Sequence, residues 1–119
     1  MYIQGFVVPV RESAKERYRV IAARFADIMK DYGLIEDVEA WEADVPDGKV
    51  TDFRKAVNLE ADEKVVFSWL IWPDKQTADH AHEKMMADPR FTEFGEEMPF
   101  DGKRMIFGGF DPLFTTRND

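Results

Sequence analysis

Residues Val65 to Trp72 read Val-Val-Phe-Ser-Trp-Leu-Ile-Trp. Side chains alternate across a strand. One face of this segment therefore carries Val65, Phe67, Trp69 and Ile71, and the other carries Val66, Leu70 and Trp72, with Ser68 its single polar residue. Such a strand must be covered above and below. Helical patterns elsewhere in the chain suffice for one face only, so something else has to cover the second. The constraint speaks to architecture and assembly, and no residue pattern in the chain names a reaction.

The flanking segments supply the remaining elements. Tyr2 to Pro9 alternates as a first strand, Ile3 and Val7 on one side and Phe6 and Val8 on the other, with Gly5 allowing the close approach of a neighbouring group or, the commoner case, a bulge. Ser13 and Glu16 have the spacing of a capping box. Behind them Ala14, Tyr18, Ile21, Ala22, Phe25, Ile28, Met29 and Tyr32 recur at helical spacing, and Gly33 stops the helix. Leu34 to Asp44 reads as a second strand bearing Glu36, Asp37, Glu39, Glu42 and Asp44, charges of one sign that suit a sheet edge. Pro46-Asp47-Gly48 opens a long connection to Glu63, in which Thr51 to Val57 fits a turn of helix or an irregular strand. Asp74 caps a second helix running to about Ala87, with Ala78, Ala81, Met85 and Met86 on its inner face. Asp88-Pro89 restarts a short helix whose buried side is Phe91 and Phe94. After Asp101-Gly102 the last strand spans Lys103 to Phe110, and its Gly108-Gly109 pair suggests a bulge or close backbone packing.

The order β-α-β-β-α-β predicts an α+β fold of ferredoxin-like type, a four-stranded antiparallel sheet with both helices on one face. Strands one and three should be central and the acidic second strand an edge. Residues 1–119 read as a single domain. The most economical cover for the second face is a copy of the same sheet, which would make a dimeric α/β barrel.

Composition narrows the partners. The chain is 45% hydrophobic and 34% charged, as in an ordinary soluble globule. It has no cysteine, which removes disulfides, thiol chemistry and cysteine-built zinc sites, and which fits a reducing, cytoplasmic setting. A net charge of −8 argues against nucleic acid and anionic membrane surfaces. No apolar run approaches the ~18 residues of a membrane helix, and the first residues read as a strand rather than a signal peptide. A homodimer and a small-molecule ligand are the partners that remain.

Three stretches carry a resemblance. Asp44-Val45-Pro46-Asp47-Gly48-Lys49-Val50-Thr51, Val65 to Pro73, and Met98-Pro99-Phe100-Asp101-Gly102-Lys103-Arg104-Met105-Ile106-Phe107-Gly108-Gly109-Phe110, with the opening Gly5-Phe6-Val7-Val8-Pro9, resemble the YbaA-like proteins, a bacterial domain-of-unknown-function family. The likeness spans nearly the whole chain. It implies the dimeric α/β barrel superfamily, whose members include cofactor-independent monooxygenases, haem-binding proteins and proteins with no known activity. It implies no catalytic motif.

Five residues are candidates for a binding site. His82 falls on the inner face of the second helix, where a histidine can act as general base or ligand contact; the commoner role is a hydrogen-bonded histidine at the core margin. His80 points the opposite way and is expected at the surface. Asp79, His82 and Glu83 form no specific metal pattern, and the two histidines diverge on a helix, so no metal site is expected. A haem ligand from His82 has no attachment motif behind it, and no cofactor is expected. Glu39 shares a strand face with Trp41, Ile35, Asp37 and Ala43. Turned inward, Glu39 would be a carboxylate beside an indole, suited to proton transfer; turned outward it is a solvated edge charge, the commoner case and the expectation. Trp41, Trp69 and Trp72 with Phe6, Phe67, Phe107 and Phe110 form an aromatic wall that suits a flat ligand or, as the leading reading, a self-association surface. Arg104 either anchors a carboxylate ligand or pairs with an acid of strand two across subunits.

Two function classes follow. One is a small cytoplasmic homodimer binding an organic molecule between sheet and helices, with a cofactor-free enzyme built on His82, Glu39 or Arg104 as its catalytic form. The alternative is a non-catalytic structural or stress-related dimerisation module.

Overall fold

β-Branched and aromatic residues favour extended, half-buried backbone, and they dominate the two longest strands. The computed structural model describes residues 1–94 and 98–118, with the backbone alone at 92–94. Strands β1 (Tyr2–Arg11), β2 (Glu36–Trp41), β3 (Glu63–Trp72) and β4 (Ile106–Phe110) form one antiparallel sheet in the order β2-β3-β1-β4. Helix α1 (Lys15–Lys30) follows β1, a single turn α2 (Phe53–Ala56) precedes β3, and α3 (Lys75–Ala87) follows β3. This is the ferredoxin-like α+β arrangement, with β1 and β3 central and the acidic β2 at an edge.

Both long helices pack on one sheet face. Met29 of α1 and Ala78 and Ala81 of α3 close over Leu70 and Trp72, while Val8, Val10 and Val66 pack beneath Tyr18 and Trp41. The opposite face is not wholly bare. The long connection before β3 brings Val57 and Leu59 against Val7 and Val65, and Phe53 meets Phe67 edge-on with ring centroids 5.8 Å apart. Beyond that cover Phe67 and Phe110 remain 43% and 59% exposed. The tail reaches the far edge, where Arg117 Nη1 lies 3.3 Å from Glu36.

Four local expectations are corrected. The capping box does not form: Glu12–Ala14 winds into a 3-10 turn, no side chain caps α1, and Glu16 accepts from Arg19 Nε at 2.9 Å instead. The second strand is confined to Glu36–Trp41, because Leu34 is still bound to Met29 in the helix-ending turn. The last strand begins at Ile106 rather than Lys103, because Asp101 gathers the backbone N–H groups of Lys103, Arg104 and Met105 into a turn. Met86, one step of ~100° beyond the inward Met85, is 85% exposed. Asp74 caps α3 through Thr77 N–H at 2.7 Å. Phe91 packs on Phe25 of α1, whereas the side chain of Phe94 lies outside the described residues. The Gly108-Gly109 pair stays in register with Gly5 and Gln4, and its need is close packing: a Cβ on Gly109 would lie 1.7 Å from the Tyr2 hydroxyl.

Gly33 ends α1 at φ 105°. Its N–H bonds Lys30 O at 3.2 Å and that of Leu34 bonds Met29 O at 3.1 Å, the paired closure that a left-handed residue makes possible. A Cβ here would also come within 2.6 Å of Thr77 Cγ2 on α3. Gly33→Ala should cost about 1–2 kcal/mol, measured by urea unfolding, and Thr77→Ala in the same chain should recover part of the loss. An unchanged midpoint would show that this turn does not hold α1 against α3.

Candidate functional site

The pairing register decides which side chains meet between sheet and helices. Glu39 stands opposite Ser68, Asp37 opposite Leu70 and Trp41 opposite Val66, all partners on the helix-covered side of β3. The acidic face of β2 therefore looks inward, and the expectation that Glu39 is a solvated edge charge is corrected. Its carboxylate accepts the Tyr18 hydroxyl from α1 at 2.5 Å and the Ser68 hydroxyl at 2.6 Å, one on each oxygen.

Asp37 sits beside Glu39 with far less polar support. Its Oδ1 is buried without a hydrogen-bond partner among the described residues. Burial, then the hydrogen bond and the charge of Glu39, push its pKa up to about 9, so the group carries a proton at neutral pH. The same burial and the Glu39 charge raise the Tyr18 hydroxyl beyond the ordinary phenol range, which keeps it a donor.

A second polar point comes from the other helix. Trp72 Nε1–H donates to Gln4 Oε1 at 2.8 Å, which turns the Gln4 amide nitrogen toward His82 Nε2 at 2.9 Å. In this orientation His82 Nε2 accepts, so the ring proton belongs on Nδ1. Burial lowers the His82 pKa, partly offset by the Asp79 charge, and the neutral ring suits the relay. His82 is thus both hydrogen-bonded and cavity-facing, whereas His80 is exposed.

Glu39, Ser68, Tyr18 and His82 share the wall of one cavity of about 370 Å³ between the sheet and the helices. The rest of that wall is apolar and includes Phe6, Phe25, Leu70, Phe91 and Phe100. A larger hollow of about 700 Å³ runs beside α3 past Lys75, Asp79, His80 and Glu83. It is bounded by a single helix, and Asp79 there pairs with Lys75 at 2.7 Å. No three His, Cys, Asp or Glu side chains gather as a metal requires among the described residues.

The other candidate residues lie elsewhere. Trp41 is on the Glu39 face but packs with Val8, Val10 and Val66, with Lys15 Nζ 5.0 Å from its ring centroid. Trp69 is on the opposite sheet face, edge-on to Phe67 at 5.7 Å. Arg104 forks onto Glu63 with two 2.7 Å bonds and also reaches Asp101 at 2.9 Å and Asn58 O at 3.0 Å. It ties the turn before β4 to the start of β3 and contacts no acid of β2 in its own chain. Tyr18, Ser68, Gln4 and Asp37 join the site without having been singled out as site residues. Ser68 stood out as the lone polar residue on its strand face, but nothing in the sequence pairs it with Glu39.

Asp37 also predicts a pH dependence. In the unfolded chain a carboxyl of this type ionises near pH 4, while in the fold it keeps its proton to about pH 9. The folded state therefore binds more protons across that window, and this group's contribution to stability falls as pH rises through it. Asp37→Asn should raise the melting temperature by a few degrees at pH 8 and flatten the decline seen by thermal unfolding between pH 5 and pH 9. Parallel profiles for the two proteins would show that the Asp37 carboxyl is not held protonated.

With the geometry in place, comparison with known proteins assigns the chain. No helix among the described residues is long and apolar enough to cross a membrane. By fold, the chain is similar to the crystal structure of an uncharacterized NIPSNAP domain protein from Burkholderia xenovorans, at TM-score 0.59 and 12% identity over 98% of this chain and 100% of that one. It is also similar to a mutant of SnoaB, a cofactor-independent oxygenase from Streptomyces nogalater, at TM-score 0.56 and 14% identity over 97% and 96% of the two chains. These likenesses show the fold alone, the ferredoxin-like α+β arrangement described above. In sequence, the chain is 56% identical over 112 residues to the uncharacterized protein YbaA of Escherichia coli K12, covering 94% of this chain and 96% of that protein. Residues 1–102 match the model of the family described as "Protein of unknown function (DUF1428)", and the chain belongs to that family.

Proposed function

We propose that this protein binds a small apolar organic molecule in the cavity between sheet and helices, as a cytoplasmic homodimer joined through the opposite sheet face. The observation that carries the reading is the cavity itself. About 370 Å³ of largely apolar space has Glu39, Ser68 and Tyr18 at one polar point and His82 among its lining. Ligand sites are typically concave, mostly apolar and furnished with a few placed polar groups. The catalytic form of this reading gives Glu39 the role of proton acceptor, since it is a cavity-lining carboxylate held in place by hydrogen bonds from the Tyr18 and Ser68 hydroxyls. SnoaB, of similar fold, is a cofactor-independent oxygenase.

A dimerisation module without catalysis is the second reading, favoured by the outer face. Phe67, Ile106 and Phe110 stay exposed there, and aromatic side chains are enriched at interface cores. The two readings share the dimer and part on the cavity.

A library of uncharged and charged aromatic metabolites, screened by melting shift against the full chain, should yield stabilising compounds. Glu39→Ala should weaken those hits by about tenfold or more, the worth of a lost charge-assisted hydrogen bond, and His82→Ala by about fivefold, the worth of a neutral one. A library with no hit, on protein shown to be folded, would leave the dimerisation module. Light scattering at micromolar concentration should give twice the monomer mass, and Phe67→Glu should return it to the monomer value; a monomeric parent protein would remove the interface.

A further inference from the structure

The cavity has a charge preference built into its wall. Among the described lining residues Glu39 is the one carboxylate, and none is Lys or Arg. Three cations toward this end of the sheet are engaged on other groups. Lys15 lies over the Trp41 ring, Arg54 holds Glu42 at 2.8 Å, and Arg104 is forked on Glu63. A ligand carboxylate or phosphate entering here would face Glu39 in apolar surroundings with no counter-charge, where like charges repel far more than in water.

Glu39 can still accept more. A carboxylate offers about four acceptor positions, and Tyr18 and Ser68 occupy one on each oxygen. Neither hydroxyl has to leave for a ligand to bond. Behind Glu39, the Asp37 carboxyl holds its proton beside Glu39 and so supplies no cation that could balance an incoming anion. Aromatic rings from separate elements, Phe6 of β1, Phe25 of α1 and Phe91 beyond α3, surround the remaining space.

We infer that the cavity selects uncharged, ring-containing molecules bearing a hydroxyl group that donates to Glu39, and rejects their carboxylate counterparts. This rests on the ligand-binding reading above and names the class of compound it admits.

Three probes of matched size test it on the full chain at pH 7: 2-naphthol, 2-methoxynaphthalene and 2-naphthoate, titrated by nitrogen–proton correlation NMR. Expected is 2-naphthol tightest, on the order of tenfold over the methoxy compound, which offers no donor, with 2-naphthoate weakest. Glu39→Gln should bring the hydroxyl and carboxylate probes to within a few-fold of each other. Because that variant alters the partner of Tyr18 and Ser68, Ser68→Ala serves as the second: it leaves the carboxylate and frees an acceptor position, so the preference for 2-naphthol should persist or grow. If 2-naphthoate binds the parent protein as tightly as 2-naphthol, the charge preference is wrong while the cavity stands as a ligand site. Failure of all three probes to bind would overturn both.

Discussion

The antiparallel pairing of β1 with β3, from Tyr2 opposite Trp72 to Arg11 opposite Glu63, is the contact on which every other element depends. It aligns Phe6, Val8 and Val10 with Leu70 and Val66 on one side and Val7 with Val65 on the other. The helices can then close over one continuous apolar surface. Its register also places Gln4 near Trp72, so that the indole N–H has an acceptor and His82 has a donor. A slip of one residue would send each of these side chains to the opposite face.

Within that apolar layer the polar groups are few and mutually dependent. Ser68 and Tyr18 satisfy Glu39, Gln4 joins Trp72 to His82, and Asp37 retains one oxygen without a partner. Burying a carboxyl without full hydrogen bonding is costly, and a fold with stability as its sole demand would place an apolar residue there. The arrangement combines a mostly apolar cavity, a carboxylate held by two hydroxyls, and a histidine held by an amide. By contrast, the fully engaged ion pairs of the molecule, Arg104 on Glu63 and Arg90 on Asp88, sit at turns where they hold segments together.

Much of the fold was legible because its signals are local or periodic. The apolar double face of Val65 to Trp72 indicated a central strand, the run of acids an edge strand, and the helical spacing behind Tyr18 an amphipathic helix. Gly33 and Asp74 act as stop and cap. The misreadings were competitions between partners. Glu16 fits a capping box in sequence, yet Arg19 lies three residues on and takes it. Lys103 and Arg104 alternate well enough for a strand, yet Asp101 draws their backbone into a turn. Of the site, His82 was legible from its place on the inner helix face, while Arg104 was drawn to Glu63, a neighbour brought close only by the fold.

What the sequence alone determined is the element order, the α+β fold, most of the inner face of each helix and the presence of a strand with two faces to cover. These follow from period and composition, which any short window contains. What only the tertiary structure decided is the direction in which Glu39 and Asp37 look. Alternation places both on one side of β2 but leaves open which side of the sheet that is, and the answer comes from Glu39 pairing with Ser68, twenty-nine residues away along the chain. The cavity is likewise tertiary, since its walls come from β1, α1, β2, β3 and α3 together. No local pattern encodes the space left where those surfaces fail to meet.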